Sequence, residues 1–429
     1  MRKTFVPHDY QEEALEHVYS TPRGALWMPM GGGKSVTTLT ALDHLSLIED
    51  IYPVLILGPR RVVRDTWPNE IAKWEHLKHL TLSVVLGTAS ERKAALKRKA
   101  DIYAINYDNL PWLVETLGED WPFKTIVADE VTKLKGLRLR QGSKRAGALR
   151  PIAHTKVSRF LGLTGTPNPN GLQDLWGPTW FYDGGARLGR SFSAFEQRWF
   201  EKGFDGYSLV AQPYAQEQIM ERLKDICLTV RGLPVDEPIL NDIEIDMPRA
   251  AGLQYRELEK EMFLQLANEE EINAVNAAVL TGKCHQFANG ALYHEDKSAW
   301  TLVHDGKIEA LQSIVEEAGG APVLVGYNFV SDKERIMKAF GSAVRDLGTD
   351  AGMDAALRGE GSVWVGHPAS MGHGVDGLQY HCNIVALFSM TWNLEHYMQI
   401  IERVGPMRQK QAGFDRPVTV HRIITKGTI

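Results

Sequence analysis

Short apolar segments alternate with longer segments of helical character between residues 24 and 167, and this alternation limits the possible folds more than any other feature. Six apolar segments, from GALWMPM (24–30) to FLGLTG (160–165), have the length and composition of buried strands. The segments between them, such as VTTLTALDHLSLI (36–48), have the length of helices. Strands that alternate with helices form a parallel sheet covered on both faces. The sequence therefore predicts an α/β fold.

The alternation stops after residue 167 and returns at about residue 301. Residues 168–300 are rich in aromatic side chains, and their clearest pattern is one helix at 257–280. From residue 301 onward, helices such as DGKIEALQSIVEEAG again alternate with strands such as PVLVGYNF. Two or three domains are expected for 429 residues. We therefore predict a first lobe at 1–167, a mostly helical insert at 168–300 and a second lobe at 301–429.

The composition is that of an ordinary globular protein, with 44% apolar and 24% charged residues. No apolar run approaches the roughly 18 residues of a membrane span, and MRKTFVPHDY lacks the apolar core of a secretory signal. The three cysteines, Cys227, Cys284 and Cys382, are far apart and have no metal-type spacing. These features predict a cytoplasmic protein without a membrane partner.

The charge is distributed unevenly along the chain. The net charge is −5, yet the segment 131–159 contains nine basic residues and no acidic one. One interpretation is a solvated surface, and the other is a track for a phosphate backbone. The basic residues are Lys133, Lys135, Arg138, Arg140, Lys144, Arg145, Arg150, Lys156 and Arg159.

The segment MGGGKS, residues 30–35, follows a predicted strand and precedes a predicted helix, which is the context of a phosphate-binding loop. The backbone of Met30, Gly31, Gly32 and Gly33 would approach phosphate oxygens at the positive end of the helix. Lys34 would bridge the β- and γ-phosphates and Ser35 would hold Mg²⁺. Met28 stands where the strict pattern has glycine, and the alternative is a flexible glycine-rich turn.

The strand FKTIVADE ends in two carboxylates, Asp129 and Glu130. Next to a phosphate loop, Asp129 would bind Mg²⁺ and Glu130 would orient and deprotonate the attacking water. The segment LTGTP (163–167) ends another predicted strand, and its threonines are candidates for coupling the sheet edge to a neighbouring lobe.

In their order and spacing these segments resemble helicase superfamily two, and within it the Swi/Snf-type DNA-dependent ATPases, especially compact phage and bacterial members. The resemblance covers nearly the whole chain. MGGGKS is similar to the family's MGLGKT, DEVTKLK to DEAHRLK, and LTGTPNPNGLQDLW to LTGTPIQNNLKELW. LILGPRRVVRDTWPNEIAKW resembles the family's next motif, with Pro59, Trp67 and Glu70 in place. VPHDYQEEAL resembles its opening segment, which implies that His8 and Gln11 lie near the adenine.

The second lobe carries the same resemblance. ASMGHGVDGLQ is similar to the family's glycine-rich motif, with Asp376 where asparagine is usual, and this implies that Gly374 and Asp376 contribute to ATP binding. QIIERVGPMRQ resembles the last motif, which has arginines four and seven residues after its glutamine. Counted from Gln399, these positions are Arg403 and Pro406, and Arg408 lies two residues further on.

The resemblance implies ATP and Mg²⁺ bound between two RecA-like lobes, with Arg403, and Arg408 as a second candidate, supplied to the γ-phosphate by the second lobe. It also implies DNA, duplex or branched, as a partner, and a separately encoded nuclease or replication protein as another. Backbone contacts are expected rather than reading of base sequence. Trp392 is a candidate for stacking on a base, although a core position is the alternative. The candidate nucleic-acid contacts are Arg60, Asn106, Lys133, Lys135, Arg138, Thr166, Ser370 and Trp392.

Three functions agree with the sequence. The first is an ATP-driven DNA translocase or helicase. The second is a helicase directed to RNA, because the sequence does not show the contacts to the 2′-hydroxyl that would separate the two nucleic acids. The third is a nucleotide-gated binding scaffold with weak turnover, which Pro406 at an expected arginine position suggests.

Overall fold

The computed structural model describes residues 2–138, 142–203, 209–230, 235–268, 274–294, 299–371 and 376–428. The chain forms two compact units, Met1–Pro234 and Val235–Ile429. In the described part of the chain, no helix combines the length and apolar character that crossing a membrane requires.

The first unit is built on a seven-stranded parallel sheet with the strand order β3-β4-β2-β5-β6-β1-β9. A short antiparallel hairpin of β7 and β8 lies outside this sheet. The strands are β1 (Arg23–Trp27), β2 (Val54–Gly58), β3 (Leu82–Val85), β4 (Ile102–Asn106), β5 (Thr125–Asp129), β6 (Arg159–Thr164), β7 (Phe200–Lys202), β8 (Leu209–Ala211) and β9 (Cys227–Thr229). The helices are α1 (Asp9–Ser20), α2 (Lys34–Ser46), α3 (Trp67–Lys73), α4 (Ala89–Lys97), α5 (Leu110–Leu117), α6 (Lys144–Ala153), α7 (Trp176–Asp183), α8 (Phe192–Trp199) and α9 (Ala215–Leu223).

The central strands of this sheet are buried on both faces, as their continuous apolar sequences predict. Every residue of β2, β4, β5 and β6 is buried. Along β5, Ile126 and Ala128 belong to one hydrophobic core and Val127 belongs to the other, because successive side chains of a strand point to opposite faces. The two cores hold the sheet between its two layers of helices. This packing sets the position of the sheet edge at which the strands end.

The second unit is built on a six-stranded parallel sheet with the order β10-β17-β16-β13-β15-β14, and β11 and β12 form an antiparallel hairpin. The strands are β10 (Ile239–Ile245), β11 (Ala291–Tyr293), β12 (Trp300–Leu302), β13 (Val323–Gly326), β14 (Val344–Asp346), β15 (Val363–Gly366), β16 (Ile384–Leu387) and β17 (Thr419–Thr425). The helices are α10 (Arg249–Asn268), α11 (Ala274–Ala288), α12 (Gly306–Glu317), α13 (Val330–Phe340), α14 (Asp350–Leu357), α15 (Pro368–Met371), α16 (Leu394–Ile401) and α17 (Pro406–Gln411).

The predicted fold class, two α/β lobes with parallel sheets, is confirmed. The division between the units falls inside the segment 168–300, so this segment contributes elements to both. β9 extends the first sheet and β10 extends the second, and β10 was not predicted as a strand. The helix predicted at 257–280 corresponds to parts of α10 and α11, and residues 269–273 lie outside the described residues. The lobe boundaries at residues 167 and 300 stay a prediction.

A buried histidine, His304, is expected to make the second unit sensitive to acid. Burial lowers the pKa of His304 to about 4, and the nearby cations of Arg335 and Lys307 act in the same direction. A hydrogen bond to the Phe287 backbone and the charge of Asp305 oppose this shift more weakly. Because an unfolded histidine has a pKa of about 6.5, the unfolded chain binds more protons between pH 6.5 and pH 4. We therefore expect acid to remove about 1.4 kcal/mol of stability per pH unit in this window.

Urea unfolding at pH 7 and pH 5, followed by circular dichroism, measures this effect. His285, whose pKa burial also lowers to about 4, adds to the same trend. The variant His304→Asn should therefore lose about half of the difference between the two pH values. The matched control is His294→Asn, since His294 is exposed and should leave the difference unchanged. An equal loss in both variants would contradict the assignment.

Candidate functional site

The predicted nucleotide-binding residues of the first unit meet at the carboxyl-terminal edge of its sheet. β5, β6 and β1 are neighbours, and the register pairs Asp129 with Leu163 and Trp27 with Thr164. The segment MGGGKS follows β1, and LTGTP ends β6. Ligands of parallel α/β sheets bind at this edge, where strand ends and helix N-termini converge.

Two glycines of MGGGKS have backbone conformations that favour glycine. Gly31 and Gly33 have φ values of 75° and 86°, a region that side chains with a Cβ rarely occupy. Gly33 is also the N-cap of the 13-residue helix α2. A Cβ atom on Gly33 would lie 2.3 Å from Nε2 of Gln11. The loop therefore requires glycine here, and it places backbone N–H groups at the positive end of a helix.

Lys34 and Ser35 are the first residues of α2. The ammonium of Lys34 donates to the carbonyl oxygens of Met28 at 2.9 Å and Pro29 at 3.2 Å, so it lies across the mouth of the loop. The two carbonyls thus hold the ammonium next to the glycines of the loop. A bound phosphate would exchange with these carbonyls as the partner of the ammonium, which is the predicted role of Lys34.

The N-terminus of α1 is hydrogen-bonded to the MGGGKS segment through the side chain of Gln11. The His8 backbone N–H donates to Oε1 of Gln11 at 3.0 Å, and Nε2 of Gln11 donates to the carbonyl of Gly32 at 3.1 Å. Gln11 is buried. The structure therefore brings His8 and Gln11 together with the loop, although their contact with adenine stays a prediction.

Asp129 is held by two side chains from other elements. Its Oδ2 accepts a hydrogen bond from Nε1 of Trp67 at 3.1 Å, and its backbone carbonyl accepts one from the hydroxyl of Tyr107 at 2.9 Å. Burial raises the pKa of Asp129, whereas the charge of Lys34 and the bond from Trp67 lower it. The carboxylate is therefore oriented by Trp67, and Lys34 is the charge that acts against the effect of burial on its pKa.

Glu130 has a strained backbone. Its φ and ψ are 56° and 57°, and among the described residues it alone has a positive φ without being glycine. The left-handed region costs a residue with a Cβ about 1–2 kcal/mol. Strain of this kind concentrates at functional sites, because the surrounding structure must hold it in place. The buried side chain next to Asp129 agrees with the predicted role of Glu130 as the base.

The residues at this edge have the donors that Mg²⁺ uses with nucleotides. In the described part of the chain, no group of three or more His, Cys, Asp and Glu side chains is placed to hold a metal by itself. Mg²⁺ is usually bound through one or two carboxylates together with substrate phosphates. The hydroxyl of Ser35 and the carboxylate of Asp129, next to a phosphate loop, fit that pattern.

The Trp67 contact was not predicted, although Trp67 was recognised as a motif residue. Because its N–H orients Asp129, we expect Trp67→Phe to weaken Mg²⁺ binding in the presence of nucleotide by about 10-fold or more, as is typical for residues behind a metal ligand. Titration of the ATPase rate with Mg²⁺, and of Mn²⁺ binding by electron paramagnetic resonance, measures the change. The matched control is Trp74→Phe, since Nε1 of Trp74 donates to Glu70 at 2.6 Å. Equal Mg²⁺ requirements in the two variants would refute the role of Trp67.

The predicted arginines lie in the second unit. Arg403 follows α16 and is buried, and its Nε donates to the carbonyl of Gln399 at 3.3 Å. Arg408 lies in α17, where NH1 contacts Oδ1 of Asp376 at 2.6 Å. The latter pair joins two residues that were both predicted to act on the nucleotide. Gly374 lies outside the described residues.

The candidate nucleic-acid contacts differ in accessibility. Arg60 follows β2 and is exposed, and Trp392 is 74% exposed. Asn106 is buried, and its Oδ1 accepts from Asn109 at 2.6 Å. The Oγ1 of Thr166 is also buried, within the loop that follows β6. The side chain of Ser370 lies outside the described residues.

The remaining candidates belong to the basic run. Lys133 is half-buried in a turn that follows Glu130. Lys135 pairs with Asp174 at 3.0 Å. Arg138 donates to two backbone carbonyls, and its guanidinium lies 3.3 Å from the centre of the Phe192 ring.

The basic run 131–159 does not form one continuous track. Arg159 is the first residue of β6, at the opposite edge of the sheet from Thr164, and it pairs with Glu49. Lys156 pairs with Glu119, and Arg145 with Asp108. Acidic residues distant in sequence therefore neutralise part of the run. Arg140 lies outside the described residues.

Comparisons with known proteins place the chain in a family. The family model of the SNF2-related domain matches residues 10–281. Protein p41 of Acyrthosiphon pisum secondary endosymbiont phage 1 is 46% identical over the whole of this chain and 94% of its own length. The ATP-dependent DNA helicase DDM1 of Arabidopsis thaliana is 24% identical over 53% of this chain but only 29% of its own length. The structure of the Sulfolobus solfataricus SWI2/SNF2 ATPase core in complex with dsDNA is 20% identical, covers 99% of this chain and 89% of that one, and gives a TM-score of 0.46. By the match of its family model and its phage relative, the chain belongs to the SNF2-related family.

Proposed function

We propose that this protein is a DNA-dependent ATPase that hydrolyses ATP between its two lobes and uses the reaction to move along DNA. The observation that carries the proposal is the arrangement at one sheet edge of the first unit. There the phosphate loop and the ammonium of Lys34 follow β1, while the oriented carboxylate of Asp129 and the strained Glu130 lie at the end of β5, with β6 between the two strands. This set has the parts that phosphoryl transfer to water requires.

Each residue has a defined task in the reaction. The N–H groups of the loop and the ammonium of Lys34 bind the phosphates and stabilise the charge that develops on them. Ser35 and Asp129 would hold Mg²⁺, which would neutralise phosphate charge when bound. Glu130 accepts a proton from the attacking water, and its fixed backbone limits the directions from which water is activated.

The second unit supplies the dependence on DNA. Arg403, or Arg408 in its place, completes the site when the lobes close on the nucleotide. DNA that contacts both lobes favours closure, so hydrolysis becomes coupled to DNA binding. Reopening after hydrolysis then shifts one lobe along the strand. Among the proposed contacts whose side chains the structure describes, the exposed Arg60 and Trp392 are the most accessible.

The test is the rate of phosphate release with no polymer, duplex DNA, single-stranded DNA, forked DNA and RNA at one fixed salt concentration. We expect duplex or forked DNA to stimulate hydrolysis at least about 10-fold, as closure by an arginine would. Stimulation by RNA alone would replace this proposal with an RNA-directed helicase. Displacement of a third strand from a triplex, compared with separation of a forked duplex, then distinguishes translocation from unwinding.

A second candidate function is a nucleotide-gated DNA-binding scaffold with weak turnover. The contact of Arg408 with Asp376 favours it, because this ion pair neutralises one of the two candidate arginines. A scaffold would bind ATP and change its DNA affinity without hydrolysis that responds to any polymer. DNA binding measured with ATP, with a non-hydrolysable analogue and without nucleotide separates the two functions.

A further inference from the structure

A buried polar cluster of Asn289, Lys307, Asp332 and Ser389 lies at the carboxyl-terminal end of β16 in the second unit. Lys307 is 3% exposed and Asp332 is fully buried. The ammonium of Lys307 donates to Oδ1 of Asn289 at 2.8 Å. Nδ2 of Asn289 donates to the hydroxyl of Ser389 at 2.5 Å and to Asp332 at 3.2 Å, and the hydroxyl of Ser389 donates to Asp332. Asn289 thus connects a buried cation to a buried anion.

The cluster joins three helices to one strand end. Asn289 directly follows α11, Lys307 is in the first turn of α12 and Asp332 is in the first turn of α13. The ammonium of Lys307 also donates to the carbonyl of Phe388 at 3.0 Å. Phe388 and Ser389 follow β16 directly. The cluster therefore fixes the backbone where the chain leaves the sheet.

Ser389 is also the first residue of a short segment, Ser389–Asn393, which we call the Trp392 loop. Its Met390 carbonyl accepts from Nδ2 of Asn328 at 2.6 Å. The Asn393 side chain accepts from the N–H of His396 and caps α16. Both ends of the loop are therefore attached to the unit, while Trp392 between them is 74% exposed.

The energetics of the cluster favour a positioning role over a role in stability alone. Two charged side chains that are removed from water carry a large desolvation penalty. A protein in which well-packed apolar residues of the same volume replace such a pair is often equally stable. A tryptophan that is mostly exposed contributes little burial to the core. The second unit thus places a polar cluster that is costly to bury next to the loop that carries an exposed tryptophan. What the cluster provides is a fixed conformation of that loop rather than added stability.

We infer that Lys307, Asn289 and Asp332 are positioning residues that hold the Trp392 loop in the conformation in which Trp392 contacts DNA. This inference rests on the proposed function. A loop held before binding loses less conformational entropy when DNA arrives, so the tryptophan gains affinity without a new contact. Stacking of one aromatic side chain on a base is the kind of contact that such a loop would present.

A double-mutant cycle on DNA affinity tests the inference. Lys307→Met and Trp392→Ala are made singly and together, and DNA dissociation constants are measured by fluorescence anisotropy at fixed salt. If Lys307 acts through the loop, Lys307→Met weakens binding roughly 10-fold when Trp392 is present and less than about twofold when Trp392 is alanine. Independent effects that multiply in the double variant would overturn the inference. So would an unchanged affinity in Trp392→Ala.

A matched control and a second variant keep the result interpretable. Lys333→Met lies in α13 and removes the pair with Asp346 at 2.6 Å, which is outside the cluster, so it should not couple to Trp392. If Lys307→Met does not fold, Ser389→Ala replaces it in the cycle, because it removes only the hydroxyl between Asn289 and Asp332. If the wild-type protein binds DNA but the cycle shows no coupling between Lys307 and Trp392, the inference alone is refuted. If the wild-type protein neither binds DNA nor responds to it, the proposed function is refuted.

Discussion

Replacement of Lys34 by alanine is expected to reduce ATP hydrolysis by at least about 10²- to 10³-fold, the loss that follows removal of one charge-stabilising donor. The reason is the position of the ammonium, which the carbonyls of Met28 and Pro29 hold at the mouth of the phosphate loop. The substitution removes the cation that meets the phosphates. It also removes the charge that lowers the pKa of Asp129, so the proposed metal ligand becomes easier to protonate.

Phosphate release with saturating duplex DNA measures this loss, and thermal unfolding shows whether the variant is folded. Lys78→Ala is the matched control, because Lys78 is exposed and pairs with Glu75 away from the loop. We expect the control to keep the wild-type rate. Wild-type turnover in Lys34→Ala would show that MGGGKS is not a phosphate-binding loop, and the proposed function would then fail.

For residues of the candidate site that lie directly at the end of one strand, the sequence predicts their position at the sheet edge. MGGGKS and the Asp129–Glu130 pair each adjoin an apolar strand, and parallel strands end at one edge of the sheet. The local order of the residues therefore determines where they lie. The same reasoning does not reach Trp67, since its indole meets Asp129 across 62 positions of sequence and only the packing of α3 brings them together.

Long-range pairing also explains what sequence patterns missed. β10 is a largely exposed edge strand with three polar residues among its seven, so it lacks the continuous apolar sequence of the central strands. The basic run 131–159 contains no acidic residue, yet Glu49, Asp108 and Glu119 from other segments pair with three of its cations. The sequence shows the charge of a segment but not the partner that the fold brings to it.

Pro406, where the family resemblance would have an arginine, has a structural explanation. It is the first residue of α17, with Gly405 as the N-cap. Proline is favoured at this position, because its fixed φ suits a helix and its missing N–H needs no partner there. The helix that begins at Pro406 carries Arg408 in its first turns. That Arg408 takes the place of the expected arginine stays a prediction, and the alternative is a site with Arg403 alone.

Arg403→Ala is expected to leave ATP binding nearly unchanged and to reduce DNA-stimulated hydrolysis by about 10³-fold or more, the contribution of an arginine that meets the γ-phosphate in the transition state. Arg408→Ala is expected to have a smaller effect, because Asp376 already accepts a hydrogen bond from Arg408 and neutralises its charge. Binding of a fluorescent ATP analogue and single-turnover hydrolysis measure the two steps separately.

Asp376→Asn provides the decisive comparison between the two arginines. The substitution keeps the shape of the side chain but removes the charge that pairs with Arg408. If Arg403 is the catalytic arginine, Asp376→Asn does not restore hydrolysis in Arg403→Ala. If Asp376→Asn does restore it, or if Arg408→Ala alone causes the larger loss, then Arg408 is the arginine that acts on the phosphate. The ion pair with Asp376 would then be a contact that must break in each cycle, which would make its strength a determinant of the rate.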